Sequence, residues 1–307
     1  MNDEHDMDIE GKVSILYHSP CLDGSLSAWA AYQYFQDNAS YIPVGHDGSG
    51  DGSLLLEKKD ETLYFLDYAP SLEGLQTLLD NGCNVHILDH HVSAYKSLLE
   101  IEHPNLVKMF DLKKSGAGLS WDYFLKKERP LIIDIIEAID LSNVDFFETP
   151  EQFFSVAAYC DALPLDNIHV FDDIYKTIED FEKAGSVHRN KNLLKITEDS
   201  QGLKIVSFGD KVEASFLNVD LYQHSRELVP YIREKTGIDI VFMWCVDGEN
   251  SVRLNIHSAA KPTAQEILKL IKEKTGCLGG GHEYSTVARM NETQFDVLKQ
   301  FLNYVSS

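Results

Sequence analysis

The sequence predicts an α/β protein of two domains, a parallel doubly wound sheet followed by a smaller α/β domain with a mixed sheet. Three observations carry this. The chain has 307 residues, about twice the length of a common domain. Up to about residue 140, short apolar runs alternate with helical stretches, the pattern of βαβ units. From residue 203 the pattern changes to closely spaced strand-like runs and one long amphipathic helix.

Residues 12–17 (KVSILY) read as a short buried strand, followed by a turn containing Pro20 and Gly24 and by the helical run SLSAWAAYQYF. TLYFLD (62–67) is the second strand, SLEGLQTLLDNG a helix stopped at Asn81-Gly82, and NVHILDHH (84–91) the third strand. Helical patterns follow at 118–127 and at 130–140, where Pro130 suits a first helical turn. The region 151–197 reads as mostly helical, with 171–184 its clearest amphipathic segment. LKIVSFG, KVEASFLN, IDIVFMWCVD and SVRLNIHS are the strands of the second sheet, and 263–276 is a helix closed by Gly276. The expected domains are residues 1–185 and 201–307, joined by a linker at 186–200.

Composition excludes several classes. With 44% hydrophobic and 25% charged residues and nine prolines, the chain is not disordered, collagenous or a solenoid. No run approaches the roughly 20 apolar residues of a membrane span, and the start MNDEHDMDIEG is acidic where a secretory signal is basic and then apolar, so the expectation is a cytoplasmic protein without a membrane partner. Five scattered cysteines (Cys21, Cys83, Cys160, Cys245, Cys277) show no paired spacing and predict neither a disulfide framework nor a zinc ribbon. The formal charge of −22 is uneven: residues 1–200 hold 15 basic and 36 acidic side chains, residues 201–307 hold 12 and 13. Such a field repels a long polyphosphate, so long DNA or RNA is a poor partner.

Chemistry gathers where the strands end. In an open parallel sheet, ligands bind beyond the carboxyl ends of the strands. The first strand runs into His18, Cys21 and Asp23, the second ends at Asp67, and the third at Asp89, His90 and His91. A single such residue is commonly a turn-former or a helix cap. Three successive strands ending this way point to a site, because clustered carboxylates and imidazoles hold two divalent cations with one carboxylate bridging.

These residues resemble a known family. HSPCLDG (18–24), Leu66-Asp67, Asp89-His90-His91 and, far downstream, Gly279-Gly280-Gly281-His282 resemble in order the motifs of the DHH phosphoesterase superfamily with its C-terminal DHHA1 substrate-binding domain, over roughly residues 12–290. Ser115-Gly116-Ala117-Gly118-Leu119-Ser120-Trp121 is similar to a segment of the oligoribonuclease branch whose first motif contains CLDG. The resemblance implies a DHH domain and a smaller DHHA1-type domain. It also implies two divalent cations, usually manganese, one held by His18, Cys21 and Asp67, the other by Asp23, Asp67, His90 and a further Asp. Asp140, in IEAID, is the favoured fourth ligand and Asp145 its competitor.

Cys21 departs from the family, which mostly has Asp there. A thiolate would favour zinc, iron or cobalt, whereas a neutral thiol would leave the first site a ligand short.

The resemblance further implies roles. Asp67 would bridge the cations, which lower the pKa of water and offset phosphoryl charge. His91 would serve the leaving oxygen, and Asp89 would orient His90 or His91. Arg253, Ser115 and the glycines and histidine of 279–282 would hold the substrate, with Tyr284 and Trp244 near enough in sequence to stack a base.

The implied activity is hydrolysis of short linear oligonucleotides, above all 5′-phosphorylated diribonucleotides, for example those derived from cyclic-dinucleotide messengers, to mononucleotides. The alternatives are a pyrophosphatase or exopolyphosphatase and a degenerate nucleotide-binding sensor. A homodimer stays open. The loop at 45–52 lacks the phosphate-loop lysine and the calcium-loop glutamate, and the basic run 188–192 reads as a solvated helix face.

Overall fold

The computed structural model describes residues 11–45, 57–208, 212–219, 225–246 and 251–303. It forms two compact units, residues 1–146 with 163–177, and residues 147–162 with 178–307. The loop read at 45–52 lies, beyond Gly45, outside the described residues.

The first unit is built on a five-stranded sheet whose pairs are all parallel. Its strands are β1 (Val13–His18), β2 (Ala39–Val44), β3 (Thr62–Leu66), β4 (Asn84–Asp89) and β5 (Leu106–Phe110), in the order β2-β1-β3-β4-β5. The helices are α1 (Leu22–Phe35), α2 (Leu72–Asp80), α3 (Val92–Leu98), α4 (Gly116–Phe124) and α5 (Leu131–Asp140). All six residues of β1 are buried, as the centre of a doubly wound sheet requires. Leu16, Leu63, Phe65, Val85 and Ile87 pack with Leu75, Leu78 and Leu79 of α2 in one core cluster.

The sequence pattern misses β2 and β5 because both are edge strands. β2 is half-exposed and carries Pro43, whose missing N–H a central strand would not tolerate. β5 alternates between half-buried and exposed residues, and Lys108 interrupts its apolar run. The first helix begins at Leu22, earlier than the run SLSAWAAYQYF, so Asp23 lies in its first turn.

Segment 163–177 joins the first unit along α1, where His169 meets Tyr32 edge-to-face with ring centroids 4.6 Å apart. Phe171 packs against Trp29, and the Trp29 indole N–H donates to Asp172 Oδ1 at 2.8 Å. Trp29 in turn stacks on Trp121, with ring centroids 5.7 Å apart. The amphipathic stretch expected at 171–184 is therefore interrupted, and helix starts only at Ile178.

The second unit begins with α6 (Pro150–Cys160) and α7 (Ile178–Asp199), and residues 186–199 continue α7. Its six-stranded sheet contains β6 (Lys204–Phe208), β7 (Val212–Asn218), β8 (Val241–Val246), β9 (Ser251–His257), β10 (Leu278–Gly281) and β11 (Ser285–Asn291), in the order β10-β11-β9-β8-β7-β6. Only β7 and β8 run parallel, so the sheet is mixed. Helices α8 (Ser225–Thr236), α9 (Ala264–Thr275) and α10 (Glu292–Phe301) complete it. Both α9 and α10 open with capping boxes, Thr263 with Glu266 and Asn291 with Gln294. Phe216, Phe242, Leu254 and Ile256 form the core with Ile267, Leu268, Phe295 and Leu298. Among the described residues no helix is long and apolar enough to cross a membrane.

Trp29→Phe keeps the ring packing and removes the indole donor. The expected cost is about 1 kcal/mol in urea unfolding, with faster proteolytic nicking between residues 163 and 177. Unchanged proteolysis would show that the Asp172 bond does not hold this segment.

Candidate functional site

The strand order fixes where a site can form. The chain leaves β1 for β2 on one side and then crosses to β3 on the other, so the connections diverge at the carboxyl ends of β1 and β3 and open a crevice there. His18 is the last residue of β1, Cys21 is the N-cap of α1, and Asp67 directly follows β3. Asp89 ends β4, His90 follows it, His91 caps α3, and Asp140 is the last residue of α5. The residues singled out at the ends of the three predicted strands, together with Asp140, thus converge within the first unit.

Asp67 is the hub. Its φ of +54° places a non-glycine residue in the left-handed region, a conformation that aspartate tolerates and that recurs at functional sites. Its Oδ2 lies 3.3 Å from His18 Nδ1 and 3.5 Å from Cys21 Sγ. Its Oδ1 lies 3.1 Å from His90 Nε2 and 3.8 Å from His91 Nδ1. His90 Nε2 is also 3.6 Å from both Asp23 Oδ2 and Asp140 Oδ2.

Each remaining carboxylate except Asp140 is anchored by backbone. Asp23 accepts from the first two amides of α4, Gly116 N at 2.6 Å and Ala117 N at 2.8 Å, where the helix dipole favours negative charge. This approach needs glycine at 116, since a Cβ there would sit 2.5 Å from Asp67 Cβ. Asp89 Oδ1 accepts from His90 N at 2.7 Å, from His91 N at 3.2 Å and from the His91 ring Nδ1 at 2.7 Å. That last bond fixes the orientation of the His91 ring.

The electrostatics follow from burial without lysine or arginine. Among the described residues the cationic partners of Asp23, Asp67, Asp89 and Asp140 are imidazoles alone. Burial and the neighbouring Asp67 and Asp140 push the Asp23 carboxyl well above the usual range. Burial opposes ionisation of Asp67 too, but the hydrogen bonds from His18 and His90 hold it well below the usual range. Burial would lower His90 and His91, yet the bond to Asp67 lifts His90 to about 10 and the charge of Asp89 lifts His91 to about 9. Burial, Asp67 and Asp23 push the Cys21 thiol far up.

Imidazolium protons are the cluster's own counter-charge, and a divalent cation can replace them. The donors fit such cations. His18, Cys21 and Asp67 form one group and Asp23, His90 and Asp140 another, the ligand atoms within each lying within 4.8 Å of one another. Asp140 Oδ2 is buried without a hydrogen-bond partner. Asp145, in the short turn after α5, belongs to none of these groups among the described residues.

Three residues take positions that the sequence did not disclose. Ser115 is fully buried, and its hydroxyl accepts from Gly118 N at 3.1 Å as the N-cap of α4, so it steadies the amides that hold Asp23 and offers no exposed group to a substrate. Glu137, one turn before Asp140 on α5, accepts from Ser115 N at 3.0 Å and pairs with Arg129 at 2.9 Å. Its spacing of three residues from Asp140 was the available signal, since such residues share a helix face. Trp244 is partly buried and packs against the second core between Phe216 and Phe295.

In the second unit, the 279–281 glycines form the edge strand β10 against β11. A Cβ at Gly279 would run into the Val287 carbonyl oxygen, so strand approach explains that glycine. His282 N donates to Ser285 O at 2.8 Å and closes the hairpin, while Tyr284 is exposed. Arg253 lies on β9 directly opposite Arg289 of β11, on the sheet face away from Leu254 and Ile256.

Two measurements test this cluster. Glu137→Ala strands the Ser115 amide, and manganese affinity measured by titration calorimetry is expected to fall about 10–100-fold with the fold retained. Metal-stripped protein is expected to lose thermal stability as pH rises. The raised His90 and His91 stabilise the fold fully below about pH 6.5 and cease to do so as pH passes through about 9 and 10. The raised Asp23 carboxyl, whose ionisation burial opposes, acts in the same direction. A flat melting temperature across that range, with chelator present, would contradict this account.

No family model matches the chain. An uncharacterized protein of Acanthamoeba polyphaga mimivirus, R106, is 32% identical over 149 residues, 45% of this chain and 35% of that protein, so the match spans about a third of the relative's length. Among solved structures, a DHH-domain protein described as a member of a family of ribosomal proteins matches 95% of this chain and 86% of its own, with a TM-score of 0.57 and 14% identity. RecJ from Thermus thermophilus in complex with manganese matches over 95% of this chain and 51% of its own, TM-score 0.56, 14% identity. The pGpG-specific phosphodiesterase PggH from Vibrio cholerae matches over 94% and 96%, TM-score 0.51, 13% identity.

Proposed function

Because the chain has the two-domain fold of the DHH proteins, with a DHHA1-like second domain, we propose that it is a metal-dependent phosphodiesterase that cleaves short linear oligonucleotides to mononucleotides. The observation that carries this reading is the Asp67 carboxylate, whose two oxygens face two different histidine-containing donor groups. His18, Cys21 and Asp67 would hold one divalent cation, and Asp23, Asp67, His90 and Asp140 the other. Bound there, divalent cations supply Lewis-acid neutralisation of phosphoryl charge and lower the pKa of water. RecJ binding manganese favours that metal.

The chain's own residues then divide the remaining work. Asp89 accepts the Nδ1 proton of His91 and sets the ring so that Nε2 presents a proton to the leaving oxygen. His91 suits this because, with a 20% exposed side chain, it is more accessible than His18 and His90. The amides of Gly116 and Ala117 keep Asp23 ionised at its post once a cation is bound. In the second unit, Arg253 and His282, beside Gly279, Gly280 and Gly281, would grip the far phosphate or base.

Charge supports a short substrate. Most of the −22 resides in residues 1–200, which repels a long polyanion, while cations held in one crevice attract a phosphate only locally. The likeness to a pGpG-specific phosphodiesterase supports a 5′-phosphorylated diribonucleotide.

Product analysis with added manganese, comparing such a diribonucleotide, a long single-stranded RNA and polyphosphate, tests the proposal. The dinucleotide alone is expected to yield mononucleotides rapidly, and Asp67→Ala to lower that rate by roughly a thousandfold or more. Phosphate release from polyphosphate alone would assign an anhydride hydrolase. Tight nucleotide binding without turnover at any metal concentration would assign a sensor.

A further inference from the structure

Cys21 occupies a helix N-cap without capping the helix. It is the N-cap of α1, a place that favours Ser, Thr, Asp or Asn, and it makes no side-chain capping bond. Its sulfur faces Asp67 instead, 3.5 Å from Oδ2, and the residue stays partly accessible.

The spacing matches a particular donor set. A tetrahedral cation about 2.0–2.2 Å from nitrogen and oxygen and about 2.3 Å from thiolate sulfur separates its ligands by about 3.4 Å for N···O and about 3.6 Å for S···O. His18 Nδ1 and Cys21 Sγ stand 3.3 and 3.5 Å from the same oxygen of Asp67. The neighbouring group of Asp23, His90 and Asp140 contains no sulfur and adds carboxylate oxygens to one imidazole.

We propose that the two donor groups are chemically unequal: at His18, Cys21 and Asp67 a borderline-soft cation such as zinc, cobalt or ferrous iron displaces the Sγ proton of Cys21 to solvent and is held by the resulting thiolate, while Asp23, His90 and Asp140 take a hard cation such as manganese or magnesium. Thiolate ligands favour the former set and carboxylates suit the latter, so the centre holds two different metals when both are offered. This rests on the reading of the cluster as a two-cation centre. It deepens that reading by assigning a class of metal to each half.

The test uses the full chain, stripped of metal, titrated with cobalt(II) in the presence of excess manganese and followed by absorption and by metal analysis. One cobalt per chain is expected to bind and to raise a near-ultraviolet thiolate-to-cobalt charge-transfer band that excess manganese does not remove. Cys21→Ser and Cys21→Asp are expected to abolish that band while circular dichroism stays unchanged, and Cys21→Asp to lower the preference of the site for zinc over manganese by roughly tenfold or more. Cobalt bound without the charge-transfer band, or a band that survives in both variants, overturns the inference while leaving a two-cation phosphodiesterase standing. Wild-type protein that retains no metal of any kind overturns both.

Discussion

A single buried carboxylate organises this molecule. Asp67 leaves the end of a central parallel strand in a left-handed conformation, and that turn sets its two oxygens toward different neighbours. On one side stand His18 and Cys21, on the other His90. Three further carboxylates crowd the same crevice, and in low dielectric such charges are costly unless they are met. Backbone amides meet Asp23 and Asp89, and imidazoles meet Asp67.

The surrounding fold serves this arrangement. Helix α4 brings two amides to Asp23 because its first residue is a glycine, and Ser115 caps the same turn from within. Glu137 reaches across from α5 to hold Ser115, and Arg129 neutralises Glu137. Asp140 rides on the same helix and is thereby placed near His90. One chain of contacts therefore runs from an ion pair at the rim to the donor atoms, so distant substitutions reach the site through the position of α4 rather than through charge alone.

The second unit follows a different logic. Its core is large and aromatic, with Phe216, Trp244 and Phe295 in mutual contact, and its mixed sheet carries Arg253 and Arg289 on the opposite face from the core residues. At Gly279 the reason for glycine is the closeness of β11. A glycine run there satisfies the packing of an edge strand and leaves His282 at a tight hairpin.

The α/β class and the ends of the central strands were legible in the sequence because central strands of a parallel sheet are continuous apolar runs, and the polar residues that stop them are conspicuous. His18, Cys21, Asp23, Asp67, Asp89, His90 and His91 all stand at such stops. The edge strands β2 and β5 were not legible, since half-exposed strands lack that contrast. The strand order, and with it the crevice between β1 and β3, was also hidden, because order is set by which faces pack and not by local periodicity. Tertiary structure alone showed that Asp140 stands near His90, that Ser115 caps a helix, and that Trp244 packs against the second core. Each of those outcomes depends on the direction in which a side chain leaves its element, a quantity fixed by packing against residues far away in the chain.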